Sequence, residues 1–268
     1  MANDRAALNA KCQLLRKLQQ GPGMLVLPNA WDAASAKVFE KAGFPAIATT
    51  SGGVALALGH EDHEQAPSEA MFEAAQRITA AVSIPVSVDL EAGYGLSPAA
   101  FVERAIAAGA AGFNMEDTNH HGAETLVQAD QQAERIRQVR ASATAAGVEL
   151  VINARTDPLL HRVGDPAEQL AEAIRRANLY LEAGADSVYP FGFYDETVTA
   201  ALVHGINGPI NVVNWRNAVP LARLAELGVR RVTFATSIFR DMTAVLEEKA
   251  AGIFASLPAP SNEQAQGG

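Results

Sequence analysis

Short apolar runs alternate with longer amphipathic stretches along the whole chain, in a steady rhythm of strand-like and helix-like periods. The runs MLVLP (24–28), AIATT (46–50), PVSVDL (85–90), AGFNME (111–116), ELVINA (149–154), SVYPF (187–191), INVVN (210–214) and RRVTFA (230–235) predict eight strands. Between them, 33–43, 97–110, 128–147 and 166–185 carry helical patterns, and 4–20 predicts an extra helix placed to cover a barrel floor. Gly43, Gly109, Gly147, Gly184 and Gly228 close most of these units, where a left-handed cap lets the next strand begin within a few residues. Strands that read as nearly continuous apolar runs imply parallel pairing with both faces buried. Eight such units fit an α/β fold of the (β/α)8 TIM-barrel type better than a doubly wound sheet. No composition break divides the chain. Residues 1–258 are therefore predicted as one barrel domain, and the small, polar 259–268 as a flexible tail.

Composition narrows the function. Apolar residues make up 49% of the 268, and mean hydropathy is +0.03, enough for a large core and too much for intrinsic disorder. No apolar run reaches the roughly 18–20 residues that span a bilayer, and the N-terminus lacks the layout of a secretory signal. A net charge of −9, with no basic stripe, disfavours nucleic acid and membrane surfaces as partners. The single cysteine, Cys12, rules out an internal disulfide and a four-sulfur zinc site. A cytoplasmic protein acting on a small molecule is expected.

In a barrel of this type, chemistry gathers at the C-terminal ends of the strands. Those ends carry TTSGG (49–53), then Asp89 and Glu91, then Glu116 and Asp117, then Asn153, Arg155 and Asp157, then Asn211 and Asn214, and last Thr236 and Ser237. Carboxylates crowded at one mouth repel each other and are partly desolvated unless a cation sits among them. Oxygen donors without a cysteine cluster favour Mg²⁺ or Mn²⁺. Arg155 offers a planar fork for a carboxylate or phosphonate, and the glycines at 52 and 53 expose backbone N–H groups that could hold an oxyanion. Each element also has a plainer use, as a turn former, an ion-pair partner or a helix cap. Their joint placement on consecutive strand ends favours a metal site. His60, His63, His120 and His121 fall in loops, where a solvated histidine is the default, and no zinc spacing is present.

Taken together, PNAWDAASAKVFEKAGFPAIATTSGGVALALGHED, VDLEAGYG, GFNMED, INARTD and SIFRDM, running in order from about Leu25 to Met242, resemble the isocitrate lyase/phosphoenolpyruvate mutase superfamily. The resemblance implies a barrel that binds Mg²⁺ and a 2-oxo or 2-hydroxy carboxylate, and breaks or forms a C–C or P–C bond through an enolpyruvate-like intermediate. By position it implies Asp89 as direct metal ligand, Glu91 and Glu116 on the metal waters, and Asp62 on the metal waters or substrate. It also implies Arg155 on the substrate carboxylate, backbone N–H groups of Ser51, Gly52 and Gly53 at the developing enolate, and Asn211 at the substrate. A homo-oligomer, dimer or tetramer, is expected, since members often swap the last helix, here 237–257.

The departures from the family pattern shape the expected reaction. The lyases of the family carry K-K-C-G-H in the loop after the fourth strand. Here that loop reads TNHHGAETLVQAD and has no cysteine. A glutamate after the sixth strand is replaced by Phe191, and Glu91 stands where the mutases have aspartate. A cysteine-free decarboxylase or lyase acting on a small di-acid such as oxaloacetate is expected, with His120, His121 or Glu124 as proton donor and His121 the leading candidate. The alternatives are a phosphonopyruvate mutase or hydrolase, a metal-dependent aldolase, and a barrel that binds a ligand without turnover.

Overall fold

The computed structural model describes residues 2–193, 195–215 and 219–257. Helix α1 (Ala2–Gln20) precedes β1 (Leu25–Leu27) and β2 (Asn29–Ala30), which continue one another through Pro28. There follow α2 (Ala33–Lys41), β3 (Ile47–Thr49), α3 (Ser51–Ala57), α4 (Ser68–Ala80), β4 (Val86–Asp89), α5 (Pro98–Ala107), β5 (Gly112–Glu116) and α6 (Ala129–Ala145). The chain ends with β6 (Val151–Thr156), α7 (Pro158–His161), α8 (Pro166–Glu182), β7 (Ser187–Pro190), α9 (Glu196–Gly205), β8 (Asn211–Val213), α10 (Leu221–Glu226), β9 (Arg231–Thr233) and α11 (Ser237–Ala255).

Every predicted strand is present and every pairing is parallel, in the orders β2-β3-β4-β5-β6-β7 and β1-β9-β8. The two sheets join where Val188 pairs with Ile210 and donates its N–H to Pro209 O at 3.0 Å. With β1 running into β2, the strands form the ring of a (β/α)8 barrel. The five predicted glycine caps all adopt positive φ. Helix starts are set locally too: Asp32 and Asp165 make capping boxes with Ser35 and Glu168.

The strands depart from the sequence reading in one respect. They are buried on both faces, but the two faces differ. Val86, Val88, Phe113, Met115, Ile152 and Ala154 belong to the apolar core, whereas the alternating positions Ser87, Asn114, Asn153, Ser187, Asn211, Arg231 and Thr233 are buried and hydrogen-bonded to one another. Alternation of side chains across a strand makes this split possible. The polar interior is tolerated because its groups find partners.

The floor is covered as expected. In α1, Cys12, Leu15 and Gln19 are fully buried, and Arg16 pairs with Asp186 at 2.8 Å. Burial pushes the Cys12 thiol up to about 12, which makes it an inert core residue. At the other end, α11 buries only Ser237 and exposes Met242, Val245, Leu246, Ile253 and Phe254. The predicted tail, 259–268, lies outside the described residues. No helix among those residues is long and apolar enough to cross a membrane.

Candidate active site

Strand register brings the polar residues together. Asp89 lies beside Asn114, and Glu116 beside Arg155, which lies beside Tyr189. Neighbours in a parallel ladder point the same way, so spacing along separate strands becomes one layer of side chains at the mouth. A cavity of about 350 Å³ opens there, lined among others by Ser51, Asp62, Asp89, Glu91, Glu116 and Arg155.

Arg155 is the centre of this layer. Its side chain is 11% exposed. Nε donates to Asp157 Oδ1 at 2.7 Å, Nη1 lies 2.7 Å from Glu116 Oε2 in an ion-pair contact, and the guanidinium stacks 4.1 Å from the Phe191 ring centroid. Asp157 is held in turn by the Thr118 hydroxyl at 2.5 Å and through its own N–H by Asp117 Oδ1 at 2.9 Å. Asp117 does not face the cavity. It is fully buried behind the mouth, accepting from the Thr156 and Tyr180 hydroxyls and from Arg176.

The acids divide by their partners. Asp89 Oδ2 accepts from Ser51 N–H at 3.1 Å, with Asn114 Nδ2 3.5 Å from Oδ1. Burial raises its carboxyl above the usual range, opposed by Arg155. Glu91 accepts from Glu64 N–H at 2.5 Å and from the Tyr94 hydroxyl at 3.0 Å. Burial and then the nearby Asp62 charge push it up to about 8. Glu116 accepts from His120 Nε2 at 2.7 Å, and burial raises it to about 7 against the pull of Arg155. Burial lowers the His120 ring's basicity, but the Glu116 bond and charge outweigh it and leave the ring raised.

Several sequence expectations land elsewhere. Neither His120 nor His121 lines the cavity: His121 is 66% exposed and bonded to Glu64 at 2.7 Å, whereas His120, at 5% exposure, is bonded to Glu116, which does line it. The two alternate in a tight loop, so only one can turn inward. Asn211 is fully buried below the mouth and bonded to Thr233 rather than open to the cavity. The β8 register places it one layer too deep. Ser51 and Gly53 N–H groups are already engaged, by Asp89 and the Thr50 hydroxyl, leaving Gly52 as the remaining amide of that first turn. A Cβ at Gly52 would sit 2.7 Å from Asp62 Oδ2, so the glycine admits the close approach of that carboxylate.

Sequence reading missed Glu64, Phe193, Trp215 and Arg240, and took His63 for a solvated loop residue. All but Glu64 line the cavity. The dense aromatic stretch FGFYD after the sixth predicted strand was the available signal for Phe193. Five of the six non-glycine residues at positive φ among the described residues, His63, Glu64, Glu91, Tyr94 and Ala235, lie in the loops at this mouth. Such strain persists where surrounding contacts over-determine a site.

The donor chemistry fits a hard cation. Asp89, Glu91 and Glu116 crowd one mouth, and desolvation raises each carboxyl above its usual range, a cost that a cation among them would offset. Among the described residues, no three acids or histidines close into a ready-made ligand cluster. Mg²⁺ does not require such a cluster, since it commonly keeps several waters and takes one or two protein carboxylates.

Comparison with known proteins agrees with the geometry. The family profile of phosphoenolpyruvate phosphomutase matches residues 15–254. The chain belongs to the phosphoenolpyruvate mutase/isocitrate lyase superfamily. It is 32% identical to a 2-methylisocitrate lyase of Escherichia coli K12 over 81% of this chain and 75% of that one. It is 28% identical to an oxaloacetate decarboxylase of Bradyrhizobium diazoefficiens over 91% and 88%. A solved structure of a proposed phosphonomutase from Burkholderia cenocepacia J2315 superposes with a TM-score of 0.85 at 37% identity, covering 91% of this chain and all of that one. The superfamily is enzymatic and includes lyases and mutases.

Proposed function

We propose that the protein is a Mg²⁺-dependent lyase or decarboxylase acting on a small 2-oxo or 2-hydroxy diacid. The observation that carries this reading is the cavity lining itself, in which half-buried Asp89 and buried Glu91 and Glu116 gather around Arg155, with no lysine or cysteine among the described residues that line it. Schiff-base and thiol routes lack their residue there, whereas charge stabilisation by a cation has its donors.

Asp89 would hold the cation directly, and Glu91 and Glu116 would hold its waters. When bound, Mg²⁺ supplies a Lewis acid for the negative charge that develops on the 2-oxo oxygen. Arg155, fixed on three sides by Asp157, Glu116 and Phe191, orients one substrate carboxylate. For an oxaloacetate-type substrate the C3–C4 bond breaks, CO₂ leaves, the electron pair passes towards the 2-oxo oxygen, and C3 later takes a proton. His120, on Glu116, holds a proton at Nε2 close to this layer. The exposed guanidinium of Arg240, at the outer rim, is placed for a second carboxylate.

A second reading, phosphonopyruvate mutase or hydrolase, is favoured by the family profile and by the phosphonomutase-like neighbour. Turnover of oxaloacetate, phosphonopyruvate and 2-methylmalate-type acids with Mg²⁺, against an Asp89→Ala control, separates the two. Oxaloacetate consumption well above metal-catalysed decay supports the first, and phosphonopyruvate alone supports the second. Silence on the whole panel sinks both.

We also propose that copies of the chain associate through α11, whose exposed apolar residues have too little of their own barrel to cover. Light scattering of the full chain at monomer mass would remove this.

A further inference from the structure

The cavity has a wall that, apart from the Phe191 contact on Arg155, the proposed chemistry does not use. At the ends of β7 and β8, Tyr189, Phe191, Phe193 and Trp215 form an unbroken edge-to-face series, with centroid separations of 5.2, 6.1 and 5.2 Å. All four line the same cavity as Asp89 and Arg155. Phe193 is nevertheless 61% exposed. Apolar rings left open inside a concave site mark a surface that a ligand covers. The wall also begins at the substrate clamp, because Phe191 stacks on the Arg155 guanidinium. A carboxylate held by Arg155 therefore has these rings as its immediate neighbours. Beyond Phe191 the two rings themselves carry one polar group, Trp215 Nε1–H, and the Arg240 guanidinium lies 5.5 Å from the Trp215 ring centroid at the outer edge. The volume of about 350 Å³ is more than a four-carbon diacid fills.

We propose that this wall is a subsite for an apolar substituent, branched-alkyl to aryl in size, carried by the diacid that Arg155 holds. The inference rests on the diacid reading of the site and narrows it. The preferred substrate is a 3-substituted 2-hydroxy or 2-oxo diacid, not an unsubstituted one. The substituent covers Phe193 and Trp215, and in doing so removes water from the face of Arg155 that Phe191 leaves open.

Calorimetric titration of the full chain with malate, 3-methylmalate, 3-isopropylmalate and 3-benzylmalate, in the presence of Mg²⁺, tests this. Affinity should rise along the series, by about tenfold or more from first to last, since even one methylene in an apolar pocket is worth roughly tenfold. In Phe193→Ala and in Trp215→Leu the ratio of 3-benzylmalate to malate affinity should fall towards one. Phe193 is largely exposed, so its variant tests the wall without disturbing the core. A flat or falling series, with malate itself bound, overturns the subsite and leaves the diacid reading standing. A rising series unchanged in both variants also overturns it, because the gain then arises elsewhere. If no diacid binds at all, the diacid reading fails and the subsite falls with it.

Discussion

The two halves of the barrel mouth are built on opposite principles. The half at the ends of β4 to β6 gathers Asp89, Glu91, Glu116 and Arg155 into a desolvated ionic layer backed by a second buried layer of Asp117, Asp157 and Arg176. The half at the ends of β7 and β8 presents aromatic faces with few polar partners. The acidic half is held by many directional bonds, so its geometry is stiff and its charge is costly without a cation. The aromatic half is held by area and shape, so it tolerates change and adapts to what lies on it. Arg155 on Phe191 is the point where the two meet.

The largest break in this comparison is expected from Asp89→Ala, which removes the carboxylate proposed to hold the cation directly. Mg²⁺-dependent turnover should fall about a thousandfold, and Mg²⁺ binding by calorimetry should weaken with it. Next comes the backing layer. Arg176→Met strips the buried Asp117 of its ion pair, which should cost about 3–5 kcal/mol, read as a drop in Tm of roughly 2–4 °C per kcal/mol. Arg155→Lys keeps the charge but loses the fork, and should raise KM roughly 10- to 100-fold. His120→Gln should lower kcat on the order of tenfold or more, with His121→Gln changing it less. On the aromatic side, Phe191→Leu removes the stacking on Arg155 along with the ring contacts to Tyr189 and Phe193, and should raise KM by roughly two- to tenfold.

The smallest expected effect is on stability against pH. Glu91 and Glu116 are raised in the folded protein to about 8 and about 7. Their protonated forms are therefore favoured by folding. Without metal, the contribution is complete below the unfolded value near 4.5 and is lost as pH rises through 7 to 8. Thermal melts of metal-free protein should show Tm falling across that window, and Glu91→Gln should flatten the fall. Added Mg²⁺ should restore stability at pH 8. A metal-free Tm that rises from pH 5 to 8 would contradict the desolvated acid layer.

What the amino-acid order determined by itself was whatever rests on local periodicity and chemistry along one segment. The eight strands, the glycine caps, the helix over the floor, and the placing of Asp89, Glu91, Glu116 and Arg155 at one mouth were all legible, because a strand end carries its residues with it whatever the rest of the chain does; Asp62, in a loop, was placed there only by the family resemblance. What only the tertiary structure decided was which neighbours those residues meet. The alternation of polar and apolar positions was present in VSVDL and GFNME, yet both faces are buried, so period alone could not show that the inner one is polar. His120 and His121 are adjacent in sequence and opposite in environment because the loop turns one inward. Asn211 sits a layer below the mouth because parallel register, a relation between strands, sets its depth. The aromatic wall needs β7 and β8 side by side, and that closeness exists only once the barrel ring is closed.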